Sequence, residues 1–563
     1  MSENWLFRDK DGKPFMPIGV QAHNSSTGSA FIRKALRTLE LFGGNTLEAP
    51  AYWYFVEPEE GVYDFSSVQS LIDEVREAGA HLVILWFGMS KNGHPNYVPE
   101  YVKLHPEIYH VAKGHDARAV ASLSPHCMAT LERDKAAFLA LLQFVKDYDE
   151  KERTVIAIQI ENEMGYANTD RDYSEEAEAD YQKAVPEEIA GLRFPDMWGE
   201  EASDGQAAGE GNGDNAVQQK ICGAGNGKPG DENENAGVVS PWKTAFGRYS
   251  HEAFSAWYTA QYIEKIAKAG KALYDIPFYT NVFVGENAHE EAGLCYNAGA
   301  GVSRMLELWK IAAPSLDLIA PDIYNTSLYD YRRICASYKR FGNPLFVPES
   351  PVSGMPNAMN LILAAGEFEA QGVASFGAEG ALDENENLNP ESEEIALSMH
   401  IIAKIAPLLI QYHGTGRIHA FTQEEFEPWR YLKLPLHHVV MRYTSCNSQG
   451  FGYTTDVKSK EGRKKIARRG RAILVQTGDY EFYLCGGGAM AEFIRRPDPM
   501  DEDSYGKMSS RYSSQLNFLS VDEGHFENGE FVCDFRRNGD ETNFAQYVLD
   551  GQLIRIRLNP CVE

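Results

Sequence analysis

The sequence predicts an α/β fold, a (β/α)8 TIM barrel followed by a C-terminal antiparallel β-sandwich domain. Three observations predict it. Over roughly the first 400 residues, short apolar runs alternate with segments of helical period. Most of those runs are continuously apolar, as parallel strands buried on both faces are. From about residue 412 the texture changes to short β runs punctuated by Gly, Asn and Asp. The expected division is a barrel over 1–411 and a β-sandwich over 412–563, each of ordinary size or somewhat above.

The expected strands are, in order, FMPIGVQ (15–21), NTLEAPAY (45–52), HLVILWFG (81–88), TVIAIQIE (154–161), IPFYTNVFV (276–284), LDLIAPDIY (316–324), PLFVPES (344–350) and GVASFGAEG (372–380). Helix-period segments such as VQSLIDEVREAGA and DKAAFLALLQFVKDY lie between them, and several stop at a glycine. Eight strand–helix pairs describe a barrel. An open doubly wound sheet would want a glycine-rich phosphate loop after its first strand, and GVQAHNSSTGS is not one. The stretch 203–240, rich in Gly, Asn, Asp and Glu, interrupts the passage from the fourth strand to its helix. Its composition cannot build a core, so it reads as an irregular surface insertion. It sits on the loop side that carries barrel active sites, so a lid or an oligomer contact is the alternative. The tail runs include RIHAFTQ, WRYLKLPL, RAILVQTGDYEFYLCGGG and GQLIRIRLNP.

Bulk properties narrow the partners. The 563-residue chain has a net charge of −28, which repels phosphate backbones and anionic membranes. The basic run 458–471 lacks interleaved aromatics and reads as a solvated loop, so no nucleic acid is expected. The opening MSENWLFRDKDGKPF has neither a basic segment nor an apolar one, so no secretory leader is expected. No apolar run is read as approaching the length that spans a bilayer. Eight cysteines are scattered without a C-x-x-C pair, which argues against a zinc site or a disulfide framework. A cytoplasmic protein with reduced thiols, no metal and no cofactor is the expectation.

Strand ends carry the chemistry of a barrel. The fourth run ends in Glu161, Asn162 and Glu163, and the seventh in Glu349. Alternation at a strand end puts Glu161 and Glu163 on one side and Asn162 on the other, unless the chain has already turned into its loop. Carboxylates at the ends of strands four and seven would face each other across the mouth. That arrangement suits a retaining glycosidase, in which one acid protonates the leaving oxygen and a second carboxylate attacks the anomeric carbon.

IAIQIENEMG resembles the acid/base motif of the family 35 β-galactosidases, within the wider clan of (β/α)8 retaining glycosidases. GGNTLEAPAYWYFVEPEEGVYDF (43–65) resembles that group's second-strand motif, and PLFVPES its nucleophile strand. The resemblance covers roughly residues 10–410, and the tail looks like the β domain of a bacterial subgroup. It implies Glu163 as acid/base, Glu349 as nucleophile, Asn162 on the sugar 2-hydroxyl and Tyr324 orienting the nucleophile. Asn281 is expected to face the sugar, and Gln21, His23 and Asn24 to line the mouth after the first strand. Trp53, Trp86, Trp242 and Phe376 are candidate stacking platforms or core residues. Glu57 resembles a position near the sugar pocket and could equally brace a loop. Glu161 is either a buried wall carboxylate or a hydroxyl contact, and His94 reads as structural. The eighth strand departs from the clan, with Phe376 where tryptophan is common and Glu379 close behind.

The expected activity is that of a retaining exo-β-glycosidase releasing terminal β-linked galactose. The alternatives are a β-glucoside, β-fucoside or β-glucuronide, or a carbohydrate binder that has lost catalysis. The expected partner is a small carbohydrate. The resemblance also implies a homo-oligomer, with the 203–240 insertion and the β domain as its contact regions.

Overall fold

The computed structural model describes residues 5–25, 28–194, 239–286, 291–425, 427–446, 468–495, 518–542 and 545–561. All but the last two residues of the expected insertion, and the first ten of the basic run, fall outside these ranges.

Seven of the eight expected runs hydrogen-bond into one parallel sheet. Its strands are β1 (Ile18–Gln21), β2 (Thr46–Tyr52), β3 (His81–Lys91), β6 (Val155–Asn162), β7 (Phe278–Phe283), β8 (Leu318–Asp322) and β9 (Val373–Phe376), in the spatial order β8-β7-β6-β3-β2-β1-β9. An unexpected hairpin, β4 (Val111–Lys113) and β5 (Ala119–Leu123), forms within the connection from β3 to β6. Every residue of β1, β2, β6 and β8 is buried, which is why these runs lack polar alternation.

The seventh run is not a regular strand. Pro344 and Pro348 remove ladder donors from PLFVPES. The segment still lies along β9, with Val347 N–H donating to Gly372 O (3.2 Å) and Ala374 N–H to Val347 O (2.8 Å). On its other side Ile323 N–H, just past β8, donates to Glu349 O at 2.9 Å. Glu349 is therefore fixed by backbone on both flanks.

The tail forms β10 (Ile418–Thr422), β11 (Trp429–Lys433), β12 (His437–Tyr443), β13 (Arg471–Gly478), β14 (Glu481–Arg495), β15 (Phe518–Glu527), β16 (Glu530–Arg536) and β17 (Ala545–Leu558). Among the described residues these make one continuous antiparallel sheet of eight strands, where two stacked sheets were expected. The cause is β14, whose first half pairs with β13 and whose second half pairs with β12, while β17 runs along both. Gly486, Gly487 and Gly488 sit at the switch. A Cβ on Gly486 would lie 2.5 Å from Arg471 O, and one on Gly487 2.8 Å from the Leu397 side chain.

Side chains along β13 alternate between two cores. Ala472 and Leu474 join a core made by this sheet alone, with Val439, Met441, Phe482 and Phe518. Ile473 and Val475 join the core of the parallel sheet, by way of the helix Glu393–Tyr412. That 20-residue helix is long and apolar enough to cross a membrane, contrary to the sequence reading. Here it is sandwiched: its buried Ile395, Ile401, Ile402 and Ile405 pack in the shared core, as a central helix of a folded domain does.

Candidate active site

The strand ends bring a set of polar groups together around Glu349. Its Oε1 accepts from Gln21 Nε2 at 2.8 Å, Asn281 Nδ2 at 3.2 Å and Asn162 Nδ2 at 3.5 Å. Its Oε2 accepts from the Tyr324 hydroxyl at 2.9 Å. These donors come from β1, β7 and β6 and from just past β8, so four connections converge on one carboxylate. Glu349, Gln21, Asn162 and Asn281 are buried, and Tyr324 is 40% exposed, which places it at the open side.

Glu163 faces the same carboxylate. One oxygen each from Glu163, Asp322 and Glu349 lie within 4.8 Å of one another. Burial, then the nearby Glu349 charge, push the Glu163 carboxyl up to about 7, with the Lys91 ammonium and an Asp322 hydrogen bond pulling the other way. An acid of that pKa is half-protonated near neutral pH, as a proton donor there needs to be. Its backbone is left-handed (φ 44°) and pinned, with Glu163 N–H donating to Asn281 Oδ1 at 3.0 Å and Asn297 Nδ2 to Glu163 O at 2.6 Å.

Sequence reading missed Asp322 and Lys91. Burial, with Glu349 and Glu163 close by, holds the Asp322 carboxyl well above the usual range, and its Oδ2 accepts from Asn281 Nδ2 at 2.8 Å. The buried Lys91 Nζ donates to Asn162 Oδ1 at 2.8 Å, which fixes the amide so that its Nδ2 faces Glu349. Both end their strands, as Glu349 ends its run; applied to LIAPD and HLVILWFGMSK, the same rule would have found them. No metal-ligand spacing is visible in the sequence, yet folding gives the three carboxylates that spacing.

Glu161 is placed elsewhere. Its backbone is also left-handed (φ 60°), which breaks strand alternation, and its carboxylate turns into the wall. There it accepts from Met89 N–H (3.1 Å) and Ser90 N–H (2.7 Å) and pairs with Asp134. Asp134 in turn accepts from Trp86 Nε1 (2.9 Å) and the Tyr262 hydroxyl (2.8 Å). Burial, then the facing carboxylate of Asp134, push Glu161 well above the carboxylate range, so the pair holds a proton between its members. Gly88 makes room: a Cβ there would come within 2.6 Å of both carboxyls.

Other expected contacts also fall outside the cluster. Trp86 is fully buried on Asp134, and Trp53 on Glu57 at 2.9 Å. Glu57 braces its loop, accepting from Gly61 N–H and the Tyr101 hydroxyl and forming an ion pair with Arg133. Trp242 is buried against Phe246 and Phe254. Asn24 serves as a backbone acceptor for the Tyr52 hydroxyl. His23 and Phe376 meet at the rim, ring centroids 5.7 Å apart, and His23 N–H donates to Glu379. His94 bonds the Ala121 carbonyl.

Residues 27–197 match a glycoside hydrolase family model described as Beta-galactosidase, family 42 and not the family 35 whose motifs the sequence resembles. Residues 396–548 match a domain of unknown function (DUF5597). A curated β-galactosidase from Xanthomonas manihotis is 28% identical over 177 residues, 31% of this chain and 28% of that protein. The chain thus spans little more than a quarter of that relative's length. A β-galactosidase structure from Bacillus circulans sp. alkalophilus is similar with a TM-score of 0.48 and 13% identity, over 70% of this chain and 57% of that one. The β-amylase catalytic domain from Paenibacillus polymyxa gives 0.47 and 13%, over 68% and 96%. The chain therefore carries a stretch of glycoside hydrolase sequence, and that stretch contains Glu163, Asn162 and Lys91.

Proposed function

We propose that the chain is a retaining exo-β-galactosidase, built on an eight-stranded barrel that the segment 344–350 closes between β8 and β9. Glu163 is the acid/base and Glu349 the nucleophile. The observation that carries this reading is the close approach of the two carboxylates, whose oxygens lie within 4.8 Å. Retaining enzymes hold the pair at about 5–5.5 Å, whereas inverting ones need about 6.5–9.5 Å to admit a water. The raised Glu163 carboxyl and the hydrogen-bonded Glu349 give the two opposite tasks. The family 35 motifs and the family 42 match both support a β-galactosidase-like substrate.

Three amides surround Glu349 Oε1, whereas Oε2 accepts from the Tyr324 hydroxyl at the open side. Oε2 is therefore the attacking atom. It forms the bond to the anomeric carbon as the glycosidic C–O bond breaks, and the leaving oxygen takes the Glu163 proton. The Glu163 carboxylate then removes a proton from water, which attacks the same carbon and releases Glu349. The sugar 2-hydroxyl meets Asn162, whose amide Lys91 orients.

The test is Glu349→Gly assayed with nitrophenyl β-glycosides. Hydrolysis should vanish and return in part with azide, giving a product of inverted configuration. Unchanged turnover in this variant would refute the nucleophile assignment. A faster glucoside or glucuronide than galactoside would overturn the sugar and leave the mechanism.

A further inference from the structure

Beneath the nucleophile lies a fourth carboxyl group that the proposed mechanism does not use. Glu48 is in the middle of β2, paired in register with Gln21 on β1. Both side chains point inward: Gln21 reaches Glu349, and Glu48 meets the hydroxyl of Tyr279 from β7, which donates to its Oε2 at 3.1 Å. Both residues are buried, at 0% and 1% exposure. Each has one orphan oxygen, Gln21 Oε1 and Glu48 Oε1, neither with a hydrogen-bond partner. Two buried acceptors without donors cost free energy, and the register pairing sets these two residues side by side on neighbouring strands. A proton on Glu48 would supply one donor for the two of them.

We propose that Glu48 is a positioning residue for Glu349: as a neutral carboxylic acid it donates its O–H to Gln21 Oε1 and so aims the Gln21 amide at the nucleophile. The inference rests on the assignment of Glu349 above. The donors then run in one direction. Tyr279 O–H donates to the Glu48 carbonyl, Glu48 O–H to Gln21 Oε1, and Gln21 N–H to Glu349 Oε1. Such a chain polarises each successive bond. It also selects the amide orientation, because a flipped Gln21 would set its oxygen against the Glu349 carboxylate. An ionised Glu48 could only accept, and would repel Gln21 Oε1 and Glu349 alike. Burial pushes the Glu48 carboxyl well above its usual range, against the pull of the Tyr279 bond, and Glu349 adds to the rise.

The experiment compares the full chain with Glu48→Gln, Glu48→Met, Gln21→Met and the double Met variant. Glu48→Gln keeps a donor and an acceptor, so kcat/KM should stay within about threefold of the parent. Glu48→Met should lose roughly 10- to 100-fold, mostly in kcat, the scale of a hydrogen bond to a charged group. The double variant should be no worse than Gln21→Met alone, because Glu48 acts only through Gln21. Infrared difference spectra of the parent against Glu48→Gln at pH 8 should show the carbonyl stretch of a protonated carboxylic acid in the parent. This reading needs neither turnover nor a folded Met variant. Loss of activity in Glu48→Gln equal to that in Glu48→Met, additive losses in the double variant, or no infrared difference would overturn the proposal. A chain that shows the band yet cleaves no glycoside sinks the glycosidase reading and leaves the protonated contact standing.

Discussion

Two carboxyl pairs start from the same strand end. Glu161 and Glu163 are two residues apart at the end of β6; both are buried, and both are pushed above the ordinary carboxylate range by burial and a facing acid. Their surroundings differ. The Glu161–Asp134 pair is sealed by two backbone N–H groups, an indole and a phenol. The Glu163–Glu349 pair has amide donors on one side and the half-open Tyr324 on the other. Burial and mutual repulsion alone therefore do not distinguish a reactive acid from a structural one. On the proposed function, a partner held from below with an open face above does.

The largest expected effect sharpens this contrast. Glu349→Ala should lose roughly 10⁴-fold or more in kcat/KM, whereas Glu161→Gln should stay within about tenfold, measured on the same aryl β-galactoside. If both collapse equally, the wall pair is part of the catalytic site. Next is Glu163→Ala, expected to lose about 10²- to 10⁴-fold on poor leaving groups and far less on activated ones. Parent kcat/KM should fall above about pH 7 as Glu163 ionises, and this limb should be absent in Glu163→Ala.

Stability offers the next test. Glu161→Ala strands the Met89 and Ser90 amides and should cost roughly 2–4 kcal/mol in denaturant melts, with Glu161→Gln much milder. The sign differs for Glu163. Its folded carboxyl titrates near 7, above the unfolded value, so the folded chain holds an extra proton between the two. Stability from this group is full below the unfolded value and falls as pH rises towards 7. Glu163→Gln avoids that loss and should gain on the parent by up to about 3 kcal/mol at pH 8, with no gain below about pH 4. The smallest effect is on Asp322, whose hydrogen bond lowers the Glu163 pKa. Asp322→Ala should move the upper limb of the rate profile to higher pH, and Asp322→Asn, which keeps a donor, should move it less.

The parallel strands were legible because double-sided burial leaves long unbroken apolar runs, as in VIAIQI and HLVILWF. The seventh run misled because its prolines leave the extended course intact but remove the ladder donors. Alternation failed at Glu161 and Glu163, where two left-handed residues reset the direction of successive side chains. Trp53, Trp86 and Trp242 read equally as platforms or core, since an indole is apolar in both settings; only their burial separates the two. Glu48, Lys91 and Asp322 belong to three different strands, and nothing in sequence distance announces that all three gather around Glu349, Lys91 by way of Asn162.

The helix Glu393–Tyr412 has a consequence for the notion of a domain. It straddles the expected boundary at 411, and its apolar face belongs to one core that runs from the parallel sheet into β13 and β14. Polar ties reinforce it: Glu394 receives Arg468 and Arg471, and Lys404 Nζ donates to Gly551 O at 2.6 Å. Textual segmentation and mechanical segmentation therefore part company. A chain cut at 411 should yield an aggregating fragment, because the cut uncovers Ile395, Ile402 and Leu409, and heating the whole chain should give one calorimetric transition spanning both sheets. The tail is a load shared with the parallel sheet, much as a keel is shared by both sides of a hull.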